Sequence, residues 1–475
     1  MRTKIVCTLG PATDNDDVMR SIMRAGMDVA RLNFSHGKHE DHARRIAQVK
    51  RIATEQNARV ALMGDLQGPK FRVGDLGAVG VTLVNGETVV IGATPQNGVI
   101  PFPHHEVIAA VSPNQKLFID DGAMTLQVIE RIDEMTVRCL VINGGVLTSR
   151  KGVSAPGVKV AISSITEKDR VDLKFAIEQN VGAIALSFVR RAEDARELRA
   201  LIKQHGGDQL IVAKIEKPEA MDDLHGIVHA SDVLMVARGD LGVEASPEQV
   251  PFFQKRIIKA CRCAGKPVIT ATQMLQSMIH APTPTRAEAS DVANAVLDGT
   301  DAVMLSAETS TGEFPVQAVE AMARIAQHAE EHALSEGLWV DDAPDLLGND
   351  VELKTDAITT AACAIAKEIR AKAIVCATRT GYTARMVSRH RPQVPIICLT
   401  FTQRALRYAN FVWGAEAEFE SAVVDDDLDV LFNAASQTAQ RYGLCGAGDE
   451  VVIIAGVPLG GGAGMTNLIK IQKVK

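Results

Sequence analysis

Eight short apolar runs rich in β-branched residues recur along the chain up to Glu308: KIVCTLG, DVARLNF, RVALMGDL, GAIALSFV, QLIVAKIE, DVLMVARGD, PVITATQM and DAVMLSAE. Amphipathic helical segments lie between them. Strands alternating with helices predict a parallel sheet, and eight such units predict closure into a (β/α)8 barrel. A barrel of this kind carries its chemistry at the C-terminal ends of its strands. Polar residues at those ends are therefore the candidates for function.

Between the third and fourth runs, from about Gln67 to Val160, the pattern changes to short alternating strands with turn residues. VTLVNGETVVIG reads as an Asn-Gly hairpin. The excursion is too long for an ordinary βα loop, so it predicts an inserted β domain, a β-barrel lid over the active-site face. Helix starts are legible at Ser246-Pro247-Glu248-Gln249 and at Thr285 followed by Glu288, both read as capping boxes. A long helix runs from Pro315 toward His332, and the acidic, irregular WVDDAPDLLGNDVELK then reads as a linker. Beyond about Thr355, AIVCAT, PIICLT and VVIIAG alternate with helical stretches, as in a smaller α/β layer domain. The expected division is a barrel over 1–66 and 161–340, a lid over 67–160 and a C-terminal α/β regulatory domain over 341–475.

A net charge of -7 and a pI near 6.0 argue against nucleic acid as the main partner, because phosphate backbones are held by basic surfaces. MRTKIVCTLG carries Arg2 and Lys4 with no uninterrupted apolar stretch behind them, so neither a signal peptide nor a membrane anchor is expected. The eight cysteines are scattered through apolar runs and read as reduced core thiols of a cytoplasmic protein. Cys261 and Cys263 lack a second Cys or His pair at zinc-site spacing.

The strand-end residues are Arg31, Asn33 and Ser35, then Asp65, Lys214, Glu216, Asp240, Thr272, Ser306 and Glu308. A barrel interior needs apolar filling, so polar side chains repeating at one end of different strands are costly unless they bind something. Glu216 and Asp240 are two hard carboxylates, and Mg²⁺ typically takes one or two of these and fills its other positions with water and substrate oxygens. With Lys214 two residues ahead of Glu216, this economy points to phosphoryl transfer. ARGDLGVE adds Gly239, whose backbone can hold a carboxylate or phosphate. His36, in NFSHGKHE, reads as a residue that orders its loop.

VARLNFSHG at Arg31, GDLQGPKFRVG at Asp65, SRKGVSAPG at Lys151, AKIE at Lys214, MVARGDLGVE at Asp240, ATQMLQSM at Thr272 and MLSAETSTGEFP from Met304 occur in order, and the chain closely resembles pyruvate kinases. The resemblance implies a barrel, an inserted lid and a regulatory domain, assembled as a homotetramer. It implies transfer of phosphate from phosphoenolpyruvate to ADP, giving pyruvate and ATP. Glu216 and Asp240 would ligate Mg²⁺, or Mn²⁺ in its place. Arg31, Thr272 and the Gly239-Asp240 backbone would bind phosphoenolpyruvate, and Lys214 would face the transferring phosphoryl group. Arg72 and Lys151 match the contacts to the nucleotide phosphates, and the Thr272 and Ser306 hydroxyls would help deliver a proton to carbon 3.

Two departures from the family pattern matter. Most members hold K⁺ with residues matching Asn33, Ser35, Asp65 and the carbonyl at position 66, with threonine at 66 and glutamate at 70. Here Leu66 and Lys70 stand at those positions. A lysine ammonium is a compact cation that can supply the charge internally, so a K⁺-independent branch is expected. In the C-terminal domain, Thr378, Thr380, Gly381 and Thr383 form a turn suited to a phosphate. AGVPLGGGAGMTN lacks the basic or aromatic partner usual for fructose-1,6-bisphosphate, which favours a sugar monophosphate or AMP as effector. The competing reading is a barrel that makes or breaks carbon-carbon bonds through a Mg²⁺-enolate of a pyruvate-type substrate, which would need neither Arg72, Lys151 nor a nucleotide lid.

Overall fold

The computed structural model describes residues 1–94, 96–158, 160, 162–339, 350–420, 427–457 and 466–475. Eight parallel strands form its centre: β1 (Lys4–Thr8), β2 (Met27–Asn33), β3 (Ala61–Asp65), β4 (Ala183–Leu186), β5 (Leu210–Ile215), β6 (Val233–Ala237), β7 (Val268–Ala271) and β8 (Ala302–Leu305). They pair in chain order, and β1 against β8 closes the barrel, with Cys7 beside Leu305. Side chains alternate between the two faces of each strand. Val6, Val29, Met63, Ala185, Val212, Met235, Ile269 and Met304 share one core. Ile5, Leu32, Leu62, Ile184, Ile211 and Leu234 pack in another with the surrounding helices. The first set is the barrel filling; the expected closed barrel is present.

The insertion after β3 contains a six-stranded sheet and a separate two-stranded ribbon, so its ladders do not close into one barrel among the described residues. It has its own core, including Val73, Leu83, Leu117, Leu126, Cys139 and Leu147. The Asn-Gly hairpin is a second correction. The turn forms, with Gly86 at φ +84 and Glu87 N–H donating to Val84 O at 3.1 Å. Its arms then part: Val81–Leu83 pairs with Gly145–Leu147, and Thr88–Gly92 pairs with Thr136–Asn143 and Val99–Pro101. The reason is a close approach at Gly144, where a Cβ would lie 2.1 Å from Leu83 O, while the Asn85 side chain accepts from Gly144 N–H at 2.6 Å. The side chain that marks the turn thus binds a different strand.

Thr285 caps the helix Arg286–Leu297 reciprocally with Glu288. Ser246 does not cap. Its main-chain carbonyl accepts from Gln249 N–H at 2.9 Å, closing a 3₁₀ turn before the helix Val250–Cys263, and its side chain makes no cap bond. The long helix spans Pro315–Ser335. The linker expected after it lies largely in 340–349, outside the described residues.

Five further strands form the C-terminal sheet in the order Ala415–Phe419, Ile396–Thr400, Ile374–Ala377, Glu450–Gly456 and Thr466–Lys473, the last antiparallel. This sheet unit meets the barrel end opposite the strand C-termini through buried polar contacts. Tyr408 Oη donates to Asp232 O at 2.6 Å, Arg404 pairs with Asp232 at 2.9 Å, and Arg391 pairs with Asp301 at 2.9 Å. Among the described residues no helix is long and apolar enough to cross a membrane.

Candidate active site

Strand parity decides which strand-end side chains enter the barrel. Arg31 follows Val29, Asp65 follows Met63, and Lys214 follows Val212, each two residues on, so each sits on the inward face one layer above the apolar filling. All three are largely buried, and they meet. Arg31 donates to Asp65 Oδ2 from Nε and Nη2, both at 2.7 Å, and to Thr8 Oγ1 at 2.9 Å. Lys214 Nζ lies 2.8 Å from Glu216 Oε1, 2.7 Å from Ser187 Oγ and 3.2 Å from Asp65 Oδ1. The last contact is the least directed.

These neighbours set the charges. Burial alone would drive Lys214 toward its neutral form, but the Asp65 and Glu216 carboxylates outweigh it and hold the ammonium well above its ordinary range. Asp65 is opposed by burial too, yet Lys214 and Arg31 keep it below the usual carboxylate range. Glu216 differs: burial pushes it up to about 7, against the pull of Lys214 and with the Asp240 charge adding to the rise. Buried Glu216, raised in part by the charge of half-buried Asp240, fits a divalent cation shared with that carboxylate, and the cation's charge would relieve it. No cluster of three or more His, Cys, Asp or Glu suited to a metal occurs among the described residues. The donor set of two suits an ion that completes its shell with substrate oxygens.

On the far wall, Arg238 grips Asp291 through two 2.7 Å bonds and donates to Ala271 O and Thr272 O. Thr272 is held there at φ +70, a conformation β-branched residues rarely adopt and one that costs of order 1–3 kcal/mol. Its hydroxyl accepts from Gly239 N–H at 2.7 Å and donates to Ala271 O at 2.6 Å. Ser306 N–H donates to the buried Glu308, which also accepts from Leu275 N–H, so Glu308 ties two loops together. Asn33 Oδ1 accepts from Ser35 N–H at 3.1 Å, and the Leu66 carbonyl accepts from Ser187 Oγ at 2.7 Å.

The lid brings further cations. Arg72 Nη1 donates to Arg150 O, and Lys151 pairs with Asp120 at 2.8 Å. Lys70 packs its stem on Gly152, where a Cβ would lie 3.2 Å from Lys70 Cε. His36 is held below its ordinary value, first by burial and then by the charges of Arg72, Lys70 and Arg31, so these three cations surround one loop. Between lid and barrel rim lies a cavity of about 570 Å³ lined by Lys70, Phe71, Val153, Phe188, Lys217 and Asp240 among others. Beside it Glu244 accepts from Ser154 Oγ of the lid at 2.6 Å and pairs with Lys217 at 3.3 Å.

Far from this site, Thr383 Oγ1 is buried against Thr466 Oγ1 at 3.0 Å, and Thr380 Oγ1 accepts from Tyr382 N–H. Thr378 N–H donates to Leu399 O, and Gly381 has φ +78. The glycine-rich stretch 458–465 lies outside the described residues. Ser187, Arg238 and Glu244 were not singled out from sequence. The first stands at the polar end of the fourth apolar run, the signal that marked the others.

Fold and site together define a (β/α)8-barrel enzyme whose strand ends carry a buried lysine, two metal-suited carboxylates and a cation-bearing lid. A family model described as "Pyruvate kinase, barrel domain" matches residues 1–319, and "Pyruvate kinase, alpha/beta domain" matches 356–472. A pyruvate kinase of Agrobacterium vitis is 44% identical over 99% of this chain and 96% of its own length. One of Geobacillus stearothermophilus is 45% identical over 100% of this chain and 80% of its own. The crystal structure of a pyruvate kinase from Cryptosporidium parvum, 35% identical, superposes with a TM-score of 0.91 and covers 100% of this chain and 96% of that one. The chain belongs to the pyruvate kinase family and is a phosphotransferase.

Proposed function

We propose that the chain transfers the phosphoryl group of phosphoenolpyruvate to ADP, using Mg²⁺ held by Glu216 and Asp240 and needing no K⁺. The observation that carries this reading is the Lys214 ammonium, kept charged in a buried layer beside Glu216. Mg²⁺, when bound, would draw charge from the phosphoryl and enolate oxygens. Arg31, aligned by Asp65, binds the substrate's anionic groups, and the Gly239 N–H and Thr272 hydroxyl join it by exchanging their bonds to Thr272 Oγ1 and Ala271 O for the substrate. Lys214 neutralises charge on the phosphoryl oxygens in a transition state that asks mainly for positioning and positive charge.

Arg72 and Lys151 hold the ADP phosphates, Lys151 exchanging Asp120 for them as the lid closes and excludes water. The hydroxyls of Thr272 and Ser306 guide the proton to carbon 3. The Lys70 ammonium, whose charge acts on His36 in the loop that follows Asn33 and Ser35, supplies the charge that K⁺ provides elsewhere in the family. The cations Arg72 and Lys151 favour this reading over a carbon-carbon lyase, which has no nucleotide to hold. Eight free cysteines agree with a reducing, cytoplasmic setting.

The test is pyruvate formation from phosphoenolpyruvate and ADP across a Mg²⁺ titration, for the wild type and Glu216→Gln. The half-saturating Mg²⁺ concentration rises at least about tenfold in the variant, as loss of a metal-binding carboxylate requires. An unchanged Mg²⁺ dependence refutes Glu216 as a ligand.

A further inference from the structure

The Lys214 ammonium has three donors, and two of its three partners are carboxylates with other duties: Glu216 toward the divalent ion and Asp65 toward Arg31. Ser187 is the neutral third. Its single hydroxyl proton goes to the Leu66 carbonyl at 2.7 Å, which leaves a lone pair for Lys214 at 2.7 Å. The arrangement is rigid. Ser187 is 2% exposed, and Leu66 N–H is tied to Ala185 O at 3.0 Å. Gly68, at φ +68, lies so close that a Cβ there would stand 2.9 Å from Ser187 Cβ. The next residue, Phe188, is held at φ +55 and gives its N–H to Glu216 Oε2 at 2.7 Å. Residues 187 and 188 thus grip both Lys214 and Glu216.

We propose that Ser187 is a positioning residue for phosphoryl transfer: anchored on the Leu66 carbonyl, it aims the Lys214 ammonium at the transferred group. This rests on the reading of Lys214 as the cation that faces the phosphoryl. An uncharged acceptor directs the ammonium without neutralising it, so the full positive charge stays available to the phosphoryl oxygens. Two hydrogen bonds through Ser187 also connect Lys214 to the monovalent-cation region, of which the Leu66 carbonyl is part.

The experiment compares wild type, Ser187→Ala, Ser187→Cys, Lys214→Met and the Ser187→Ala/Lys214→Met double variant in the Mg²⁺-loaded enzyme. It reads kcat and KM for phosphoenolpyruvate. It also reads exchange of the pyruvate methyl protons with deuterated solvent by NMR, a step that uses the Thr272 and Ser306 side of the site but transfers no phosphate. Both Ser187 variants lower kcat by about 10- to 100-fold and leave KM and methyl-proton exchange within about threefold. The double variant is no slower than Lys214→Met, because the two residues act as one unit. Cysteine keeps nearly the serine volume with a weak donor, so it carries the test should alanine impair folding.

If Lys214→Met loses kcat while the Ser187 variants keep it, the proposal falls and the role of Lys214 stands. Loss of kcat, KM and exchange together marks Ser187 as merely structural and also overturns it. A Lys214→Met enzyme at the wild-type rate overturns both.

Discussion

Asp65→Asn is the sharpest perturbation of the buried charge layer. Asp65 is 1% exposed and takes both the Nε and Nη2 donors of Arg31 at 2.7 Å, with Lys214 at 3.2 Å from its other oxygen. The amide keeps the volume and one acceptor but leaves Arg31 without a carboxylate partner. Breaking a buried ion pair by removing one member costs about 3–5 kcal/mol, and the retained amide acceptor returns about 1 kcal/mol of it. The net loss is therefore about 3 kcal/mol, and Arg31→Met costs a similar amount by leaving Asp65 with only the less directed Lys214 contact. Removing both partners leaves Lys214 with Glu216 and Ser187, so Asp65→Asn/Arg31→Met should lose about 3 kcal/mol as well, far less than the sum of the singles. Urea unfolding of the four proteins, followed by circular dichroism at fixed pH and salt, gives the coupling. Additive losses would refute the pairing as the source of stability in this layer.

Two further outcomes are expected. Burial first, then the Arg385 charge, pushes the Lys266 ammonium down to about 8 from an ordinary 10.5. The folded state sheds this proton before the unfolded state does, so stability rises with pH from about 8 to about 10.5, by about 3 kcal/mol, and the burial cost is constant below 8. Lys266→Met should remove that rise, and parallel thermal midpoints of wild type and variant between pH 7.5 and 10 would count against it. Glu244→Ala cuts the lid's Ser154 and Lys217 contacts, and losing a hydrogen bond to a charged group, about 1.5 kcal/mol, should raise KM for ADP roughly tenfold. It should also speed limited proteolysis at the lid boundaries, and an unchanged KM with unchanged cleavage would show that Glu244 does not hold the lid.

The barrel was legible because eight short, β-branched apolar runs alternate with helical segments, a pattern few other folds share. The Asn85-Gly86 turn was legible too, but not the divergence of its arms. Local turn chemistry sets a turn, whereas the close approach of Gly144 to Leu83 joins residues far apart in the chain. In the site, strand-end position marked Arg31, Asp65 and Lys214 as candidates, whereas their inward aim follows from the parity that the barrel filling at Val29, Met63 and Val212 sets. Nothing local to GAIALSFV reveals that Ser187 meets a lysine from the next strand and a carbonyl from the previous one. Arg238 escaped notice for the same reason, since its partners Asp291 and Thr272 lie on other elements. At Ser246 the motif matched, but the competing main-chain bond to Gln249 took the donor.

The measurement that bears most directly on the account is pyruvate formation from phosphoenolpyruvate and ADP with Mg²⁺, in K⁺ and in tetramethylammonium at matched ionic strength, for the wild type and Lys70→Glu. The account predicts equal wild-type turnover in both salts and a variant that turns over only with K⁺. Absence of pyruvate in either salt would contradict the phosphoryl-transfer reading itself, and wild-type turnover confined to K⁺ would remove Lys70 as the built-in cation.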